Sequence, residues 1–400
     1  MTSRRTLLQG ALLGTATALL PAGAYPATGP GTKTATAVPT ASSAPGHGRE
    51  PLLRLPAPTG PYPLGLRTVH LTDPARTDPW VGGVRELMLT VLYPARSVRG
   101  FRRAPQLTPA EAGVFSGYAP HVHPGLPEPG VVDWGAVLTH GHVGAPPLPG
   151  RRPVLLYSPG GGDSRTLGTS LAEDLASHGR VVVLVDHPGD ATQVELPTGM
   201  RRTVLTGPPD PETFRTMTDT RIADLRLVVD RIVRGRLGEP PLARITDAAR
   251  IGMYGHSAGG TAVVYAAQGD RRVGAVANLE GFLDREPRPT GFDRPLLLLR
   301  TDGFAEAGRV VSSWAGVPGR RELLADANHW AFTDYGSLVP RLHALGLMTS
   351  EARAALVGTG DPVATLAALR QRTATFFARH LPAVRRLPAD RHLPAARRRP

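Results

Sequence analysis

Residues 255–260 read Gly255-His256-Ser257-Ala258-Gly259-Gly260. The apolar run Ile251-Gly252-Met253-Tyr254 precedes them, and a small-residue stretch over 261–268 follows. A Gly-x-Ser-x-Gly between a strand and a helix is a sharp turn that lifts the serine Oγ clear of a sheet. Such a turn strains the serine backbone by about 1–3 kcal/mol. Side chains two residues away on either side would clash there, so Gly255 and Gly259 leave the turn room. Gly260 lets the following helix pack close. The chemistry on offer is nucleophilic attack by Ser257.

A serine hydroxyl needs a base within hydrogen-bond reach, and the base needs an acid to orient it. The candidate base is His329, in Ala327-Asn328-His329-Trp330-Ala331-Phe332 after the last expected strand. His343 and His380 fall on helical or terminal segments. Two acids compete. Glu280 ends the run Val276-Ala277-Asn278-Leu279, and Asp302 follows Leu297-Leu298-Leu299-Arg300-Thr301 one strand later. A developing oxyanion needs backbone N–H donors. Ala258, next to the nucleophile, supplies one. Gly161, in Pro159-Gly160-Gly161-Gly162, is the candidate for the other. That loop lacks the Lys-Ser/Thr ending of a nucleotide-binding loop.

His121, His123, His140 and His142 form two His-x-His pairs. Each pair could face one way on an extended strand, yet no cysteine or carboxylate cluster accompanies them. They read as solvated loop histidines, with no metal expected. Phe115, Tyr118, Trp134 and Trp330 either line a cleft or pack locally.

Positioning such a site takes a sheet whose strand ends coincide. Strands are expected over 64–71, 86–92, 153–157, 181–185, 251–254, 273–279, 295–299 and 321–324. Helices are expected over 165–178, 212–234 and 363–380, with another after Ser257. In the helix over 212–234, Ile222, Leu225, Val229 and Ile232 share a face. Continuous apolar runs such as 181–185 suit strands covered on both sides. Strands alternating with helices specify an α/β fold with a doubly wound, mostly parallel sheet and helices on both faces. Ligands of such sheets sit at the carboxyl ends of the strands. Residues 158–162, 186–190, Ser257, Glu280, Asp302 and His329 all fall there. Residues 96–150, rich in Pro, Gly and His, read as an irregular insertion in a domain spanning 51–380.

Composition sets the remaining bounds. The 400 residues contain no cysteine, which excludes disulfides, cysteine–zinc sites and thiol catalysis. The net charge of +13 comes almost wholly from scattered arginines, with Lys33 the sole lysine. That scatter argues against nucleic acid. A basic tail over 381–400 could make weak contact with an anionic surface, but lacks the interleaved aromatics of a single-strand binder. Thr2-Ser3-Arg4-Arg5-Thr6-Leu7-Leu8, the apolar stretch 7–20 and Ala22-Gly23-Ala24 form a twin-arginine export signal over 1–24. A flexible linker follows over 25–50. The expected location is extracellular.

From residue 56 to 380 the chain resembles bacterial secreted α/β-hydrolases of the platelet-activating-factor acetylhydrolase-like group. The likeness rests on Pro58-Thr59-Gly60-Pro61-Tyr62-Pro63-Leu64-Gly65, on Leu92-Tyr93-Pro94-Ala95 and on Ser158-Pro159-Gly160-Gly161-Gly162. It also rests on the stretch 171–179, on Asp186-His187-Pro188-Gly189 and on Gly255–Gly260. The resemblance implies ester hydrolysis without metal or cofactor, on a small-molecule or lipid ester. It also implies an acid at the end of the strand that follows the helix after the Ser257 turn, the nucleophile elbow of this fold, and that residue is Glu280. The group normally carries Asp in an Asn-Leu-Asp-Gly-like context, where this chain has Asn278-Leu279-Glu280-Gly281. Pro159 stands where a histidine is common. The reading is an exported serine esterase working through an acyl-enzyme. Its rivals are an amidase or peptidase on the same residues and a non-catalytic binding protein on a hydrolase fold.

Overall fold

The computed structural model describes residues 52–382. The expected export signal and linker lie outside these residues, as does nearly all of the basic tail. Twelve strands and nine α-helices are present among the described residues. The N-terminal half begins with β1 (Leu64–Thr77) and β2 (Val84–Pro94). After them come β3 (Arg103–Pro105), α1 (Pro109–Val122), β4 (Leu138–Val143) and β5 (Arg152–Ser158). A 3-10 turn leads into α2 (Thr169–Ser177), followed by β6 (Val181–Val185) and the hairpin β7 (Gln193–Leu196) and β8 (Gly199–Arg202). Next are α3 (Pro211–Val233), α4 (Pro240–Ile245), β9 (Thr246–His256), α5 (Ala258–Gln268) and β10 (Val273–Leu279). The chain continues through β11 (Leu296–Thr301), α6 (Ala307–Ser313), β12 (Arg320–Leu324), α7 (Tyr335–Ala344), α8 (Ser350–Val357) and α9 (Pro362–His380).

Ten strands make one sheet in the order β12-β11-β10-β9-β5-β6-β2-β1-β4-β3. From β12 to β6 every pairing is parallel. Beyond β6 the sheet turns mixed, with β2 antiparallel to both β6 and β1. The parallel strands bury both faces. Val181, Val183 and Val185 point into one core, while Val182 and Leu184 point into the other. One core is roofed by α3 and α5, the other by α2, α7 and α9. Helix starts follow capping chemistry. Asp210 accepts from Glu212 N and Thr213 N ahead of Pro211, and Asp361 does the same ahead of Pro362.

Residues 96–150 depart from the irregular insertion expected of them. Thr108 and Glu111 form a reciprocal capping box that starts α1. β4 lies parallel to β1 and carries β3, widening the main sheet by two strands. The His-x-His motif of 140 and 142 sits on β4, and His140 Nδ1 bonds the buried Glu173 at 2.8 Å. His142 Nδ1 meets Leu64 O at 3.3 Å, and His121 Nδ1 meets Gly117 O at 2.9 Å. His123 is buried edge-on against Trp330 and Tyr335. The four histidines therefore do not converge. Phe115 and Trp134 pack against each other in the core.

Candidate active site

The register of the parallel strands brings their carboxyl ends level. Ser158 on β5 pairs with Gly255 on β9, His256 with Leu279 on β10, and Leu279 with Leu299 on β11. The ladder runs one step beyond the strands, because Ser257 N donates to Leu279 O and Glu280 N to Leu299 O. Ser257 therefore stands at the first turn past β9, immediately before α5. Its backbone lies at φ 53° and ψ −123°, a conformation that L residues rarely adopt. The glycines around it touch backbone. A Cβ on Gly259 would fall 2.0 Å from Ser158 O, and one on Gly255 2.4 Å from the Gly259 carbonyl carbon. The small residues let α5 start directly against the end of β5. Ser257 is half-buried, and its Oγ makes no hydrogen bond among the described residues.

Glu280 also has a positive φ, at 63°, and is 1% exposed. Its Oε1 accepts from Thr301 N at 2.6 Å, and the Thr301 hydroxyl lies within 3.0 Å of both carboxylate oxygens. The remaining Oε2 meets His329 Nδ1 at 2.8 Å. The extra methylene of glutamate, compared with aspartate, is taken up in reaching across to β11. Asp302 goes elsewhere. It is exposed and accepts from the backbone N–H groups of Asp326 and Ala327. The structure thus joins His329 to Glu280 and leaves Asp302 bracing the turn before His329.

His329 is held on several sides. Phe304 stacks on its ring at 4.0 Å, and Trp330 meets it edge-on at 5.0 Å. His256 Nε2 donates to His329 O at 3.0 Å, so the residue before Ser257 anchors the loop that carries the imidazole. His256 Nδ1 faces Asp163 Oδ2 at 3.8 Å, beyond hydrogen-bond reach. Burial lowers the His329 pKa to about 4, and the neighbouring His256 pushes the same way, against the pull of Glu280. His329 is accordingly neutral at pH 7, with Glu280 at Nδ1 and Nε2 left as the free ring nitrogen.

Gly161 is exposed on the loop after β5, and a Cβ there would come 3.7 Å from Ala258 Cβ. Gly161 and Ala258 are therefore neighbours across a gap beside Ser257. Ala258 opens α5, where N–H groups of the first turn lack intrahelical partners and the helix end is electropositive.

Two groups of residues escaped the sequence. Arg221 and Asp224 lie fully buried on α3, spaced with Met217 and Val228 along its apolar stripe. Charged residues on such a stripe were the available signal. Asp224 bonds His187 Nδ1 at 2.9 Å, and His187 Nε2 meets Ser158 Oγ at 2.9 Å. This is a second Ser-His-Asp chain. All three of its side chains are wholly buried and Ser158 ends a regular strand, so no substrate carbonyl can reach it. Arg85 completes this group with bonds from Nε and Nη2 to the two Asp224 oxygens.

Strand order, elbow and buried imidazole–carboxylate pair define an α/β-hydrolase, and the comparisons give its branch. A solved ferulic acid esterase from Streptomyces cinnamoneus superposes with a TM-score of 0.68 at 35% identity, covering 82% of this chain and 93% of that one. A probable 1-alkyl-2-acetylglycerophosphocholine esterase of Arthroderma benhamiae is 28% identical over 279 residues, or 65% of this chain and 68% of its own length. No family model matches the chain. The chain belongs to the esterase group of the α/β-hydrolases.

Proposed function

We propose that this protein hydrolyses carboxylic esters with Ser257 as nucleophile, His329 as base and Glu280 as the orienting acid. The observation that carries the proposal is the buried Glu280–His329 pair at 2.8 Å, one strand end away from a strained serine. Ser257 Oγ attacks the ester carbonyl while His329 Nε2 takes its proton. The tetrahedral oxyanion receives the N–H groups of Gly161 and Ala258. Collapse breaks the ester C–O bond, and the proton on Nε2 passes to the leaving alcohol. Water then enters, gives its proton to His329 and attacks the acyl-serine. The acid leaves and Ser257 regains its proton. Glu280 stabilises the imidazolium at each transfer. The hydrogen bond from Ser257 to the base forms with substrate in place, as is usual for such sites.

The esterase names of both relatives support the ester as the bond cleaved. The test uses p-nitrophenyl acetate and a fluorophosphonate probe. Wild-type protein hydrolyses the ester and takes up one equivalent of probe, and Ser257→Ala loses both. Probe uptake at a residue other than Ser257, or ester turnover unchanged in Ser257→Ala, refutes the assignment. Export through Arg4-Arg5 belongs to the same reading. Replacing both with lysine then keeps the activity inside the cell.

A further inference from the structure

Three successive glycines, Gly160, Gly161 and Gly162, form the loop that carries the proposed oxyanion donor. Such a loop has little conformational preference of its own. Asp163 N closes a turn on Gly160 O at 3.2 Å, and a second, charged anchor meets the same carbonyl and aims the Gly161 N–H. The side chain of Arg221 meets this loop from beneath. It is 0% exposed. All five of its N–H donors are engaged. Nε bonds Asp190 Oδ2 at 2.8 Å and Nη2 bonds Asp190 Oδ1 at 2.5 Å. The second Nη2 hydrogen goes to Gly160 O at 2.8 Å. Nη1 reaches Pro159 O and Ser158 Oγ.

The bond to Gly160 O matters because of peptide geometry. Gly160 O and the Gly161 N–H belong to one peptide unit, which is planar and trans, so they point in opposite directions. Pinning the carbonyl toward Arg221 turns the N–H away from it, toward the side open to solvent. A cation on the carbonyl also polarises the peptide and strengthens its N–H as a donor. Thr192 N holds the other end of the loop through Gly162 O at 2.7 Å. Asp190 fixes the guanidinium plane by a two-point grip.

We propose that Arg221, oriented by Asp190, is a positioning residue for the oxyanion hole: it locks the Gly160–Gly161 peptide so that the Gly161 N–H is aimed before substrate arrives. The proposal rests on the esterase reading above. It gives the buried ion pair a part in turnover rather than only in holding α3 to β5.

Two variants test it. Arg221→Met combined with Asp190→Asn removes both charges together and leaves no unpaired ion. Arg221→Lys keeps the charge and loses the planar fork. Each is assayed for kcat and KM on p-nitrophenyl butyrate, for its pH profile, and for the Ki of a trifluoromethyl ketone that forms a tetrahedral adduct on serine. In the double variant kcat falls by about 10²–10³, as for loss of one oxyanion donor. KM changes by less than about threefold, and Ki rises in step with the fall in kcat, the mark of an interaction made in the transition state. The acid limb of the pH profile stays put, because His329 is untouched. Arg221→Lys shows the same pattern at about tenfold or more, so it decides the matter should the double variant not fold. A folded variant with kcat within about threefold of wild type overturns the proposal, as does a loss of kcat with Ki unchanged. An inactive wild type, or an active Ser257→Ala, sinks the esterase reading instead, so the two failures are separable.

Discussion

Glu280 and Asp302 differ in what surrounds them, and that difference predicts what each substitution does. Glu280 has no solvent to fall back on, and its carboxylate is shared between Thr301 and His329. Glu280→Gln keeps the shape but presents the imidazole with a neutral partner that favours the wrong tautomer. kcat on a p-nitrophenyl ester is expected to drop by about 10⁴. Asp302→Asn still accepts from the backbone of Asp326 and Ala327, so its kcat stays within a few-fold. The reverse order would move the acid to β11. The pH dependence follows from His329. Only the neutral imidazole is a base, and burial lowers its pKa from 6.5 to about 4. Activity is therefore present above the lowered pKa and lost as pH falls through it. The acid limb of kcat/KM is expected near pH 4, and an inflection near 6.5 would show the ring to be solvated in the working enzyme. Ser257 and His329 were legible as candidates from their places after strands, whereas Glu280 and Asp302 both end apolar runs and only the family resemblance favoured Glu280. Arg221 was not legible, since an arginine on an amphipathic helix ordinarily reads as solvated.

The elements that place these residues owe their closeness to missing side chains. α5 begins so near the end of β5 that a Cβ at Gly259 would overlap the carbonyl oxygens of Ser158 and Pro159 at 2.0 and 2.4 Å. Gly259→Ala must push the elbow helix away from the strand that carries the Gly161 loop. We expect a loss of about 1–3 kcal/mol in urea unfolding, the usual result of overpacking. A fall in kcat beyond tenfold should accompany it, because the gap between Gly161 and Ala258 widens. Unchanged stability and kcat would mean that the contact is soft. The same physics explains which elements were readable. β6 and β10 were expected at their observed limits, because buried parallel strands are unbroken apolar runs. β4, read as loop, is Leu-Thr-His-Gly-His-Val with half-exposed alternation, and its place in the sheet comes from β1 rather than its own pattern. α1 contains Pro120 and has no sharp apolar face, so only its capping box marked it.

Many ionisable groups are buried among the described residues, and their pKa shifts shape the response to acid. The carboxylate of Asp224 is held well below the ordinary range by Arg85 and His187 against the cost of its burial. Its contribution to stability is present above the unfolded value of 3.8 and is lost only as pH falls below that. The histidines act earlier. His123 is buried, and that burial lowers its pKa to about 4, as it does for His329. In the unfolded chain both titrate near 6.5, so the unfolded state takes up protons first. Each histidine's contribution is full above about pH 6.5 and declines as pH falls toward 4, while Asp186 and Asp334, whose pKa values burial raises to about 6 and about 7, act in the opposite sense over that range. A shift of 2.5 units corresponds to about 3 kcal/mol per histidine once both forms are protonated. Between about pH 7 and 4 the histidine and carboxyl contributions therefore oppose each other. His123 allows one contribution to be isolated. Its ring meets Trp330 and Tyr335 edge-on, contacts that a phenyl ring can also make. His123→Phe is expected to fold. Its unfolding free energy, measured in urea at pH 7 and 4.5, should fall between the two pH values by about 2–3 kcal/mol less than that of wild type. An identical pH dependence in the two proteins would show that His123 is already protonated, or already hydrated, in the native state.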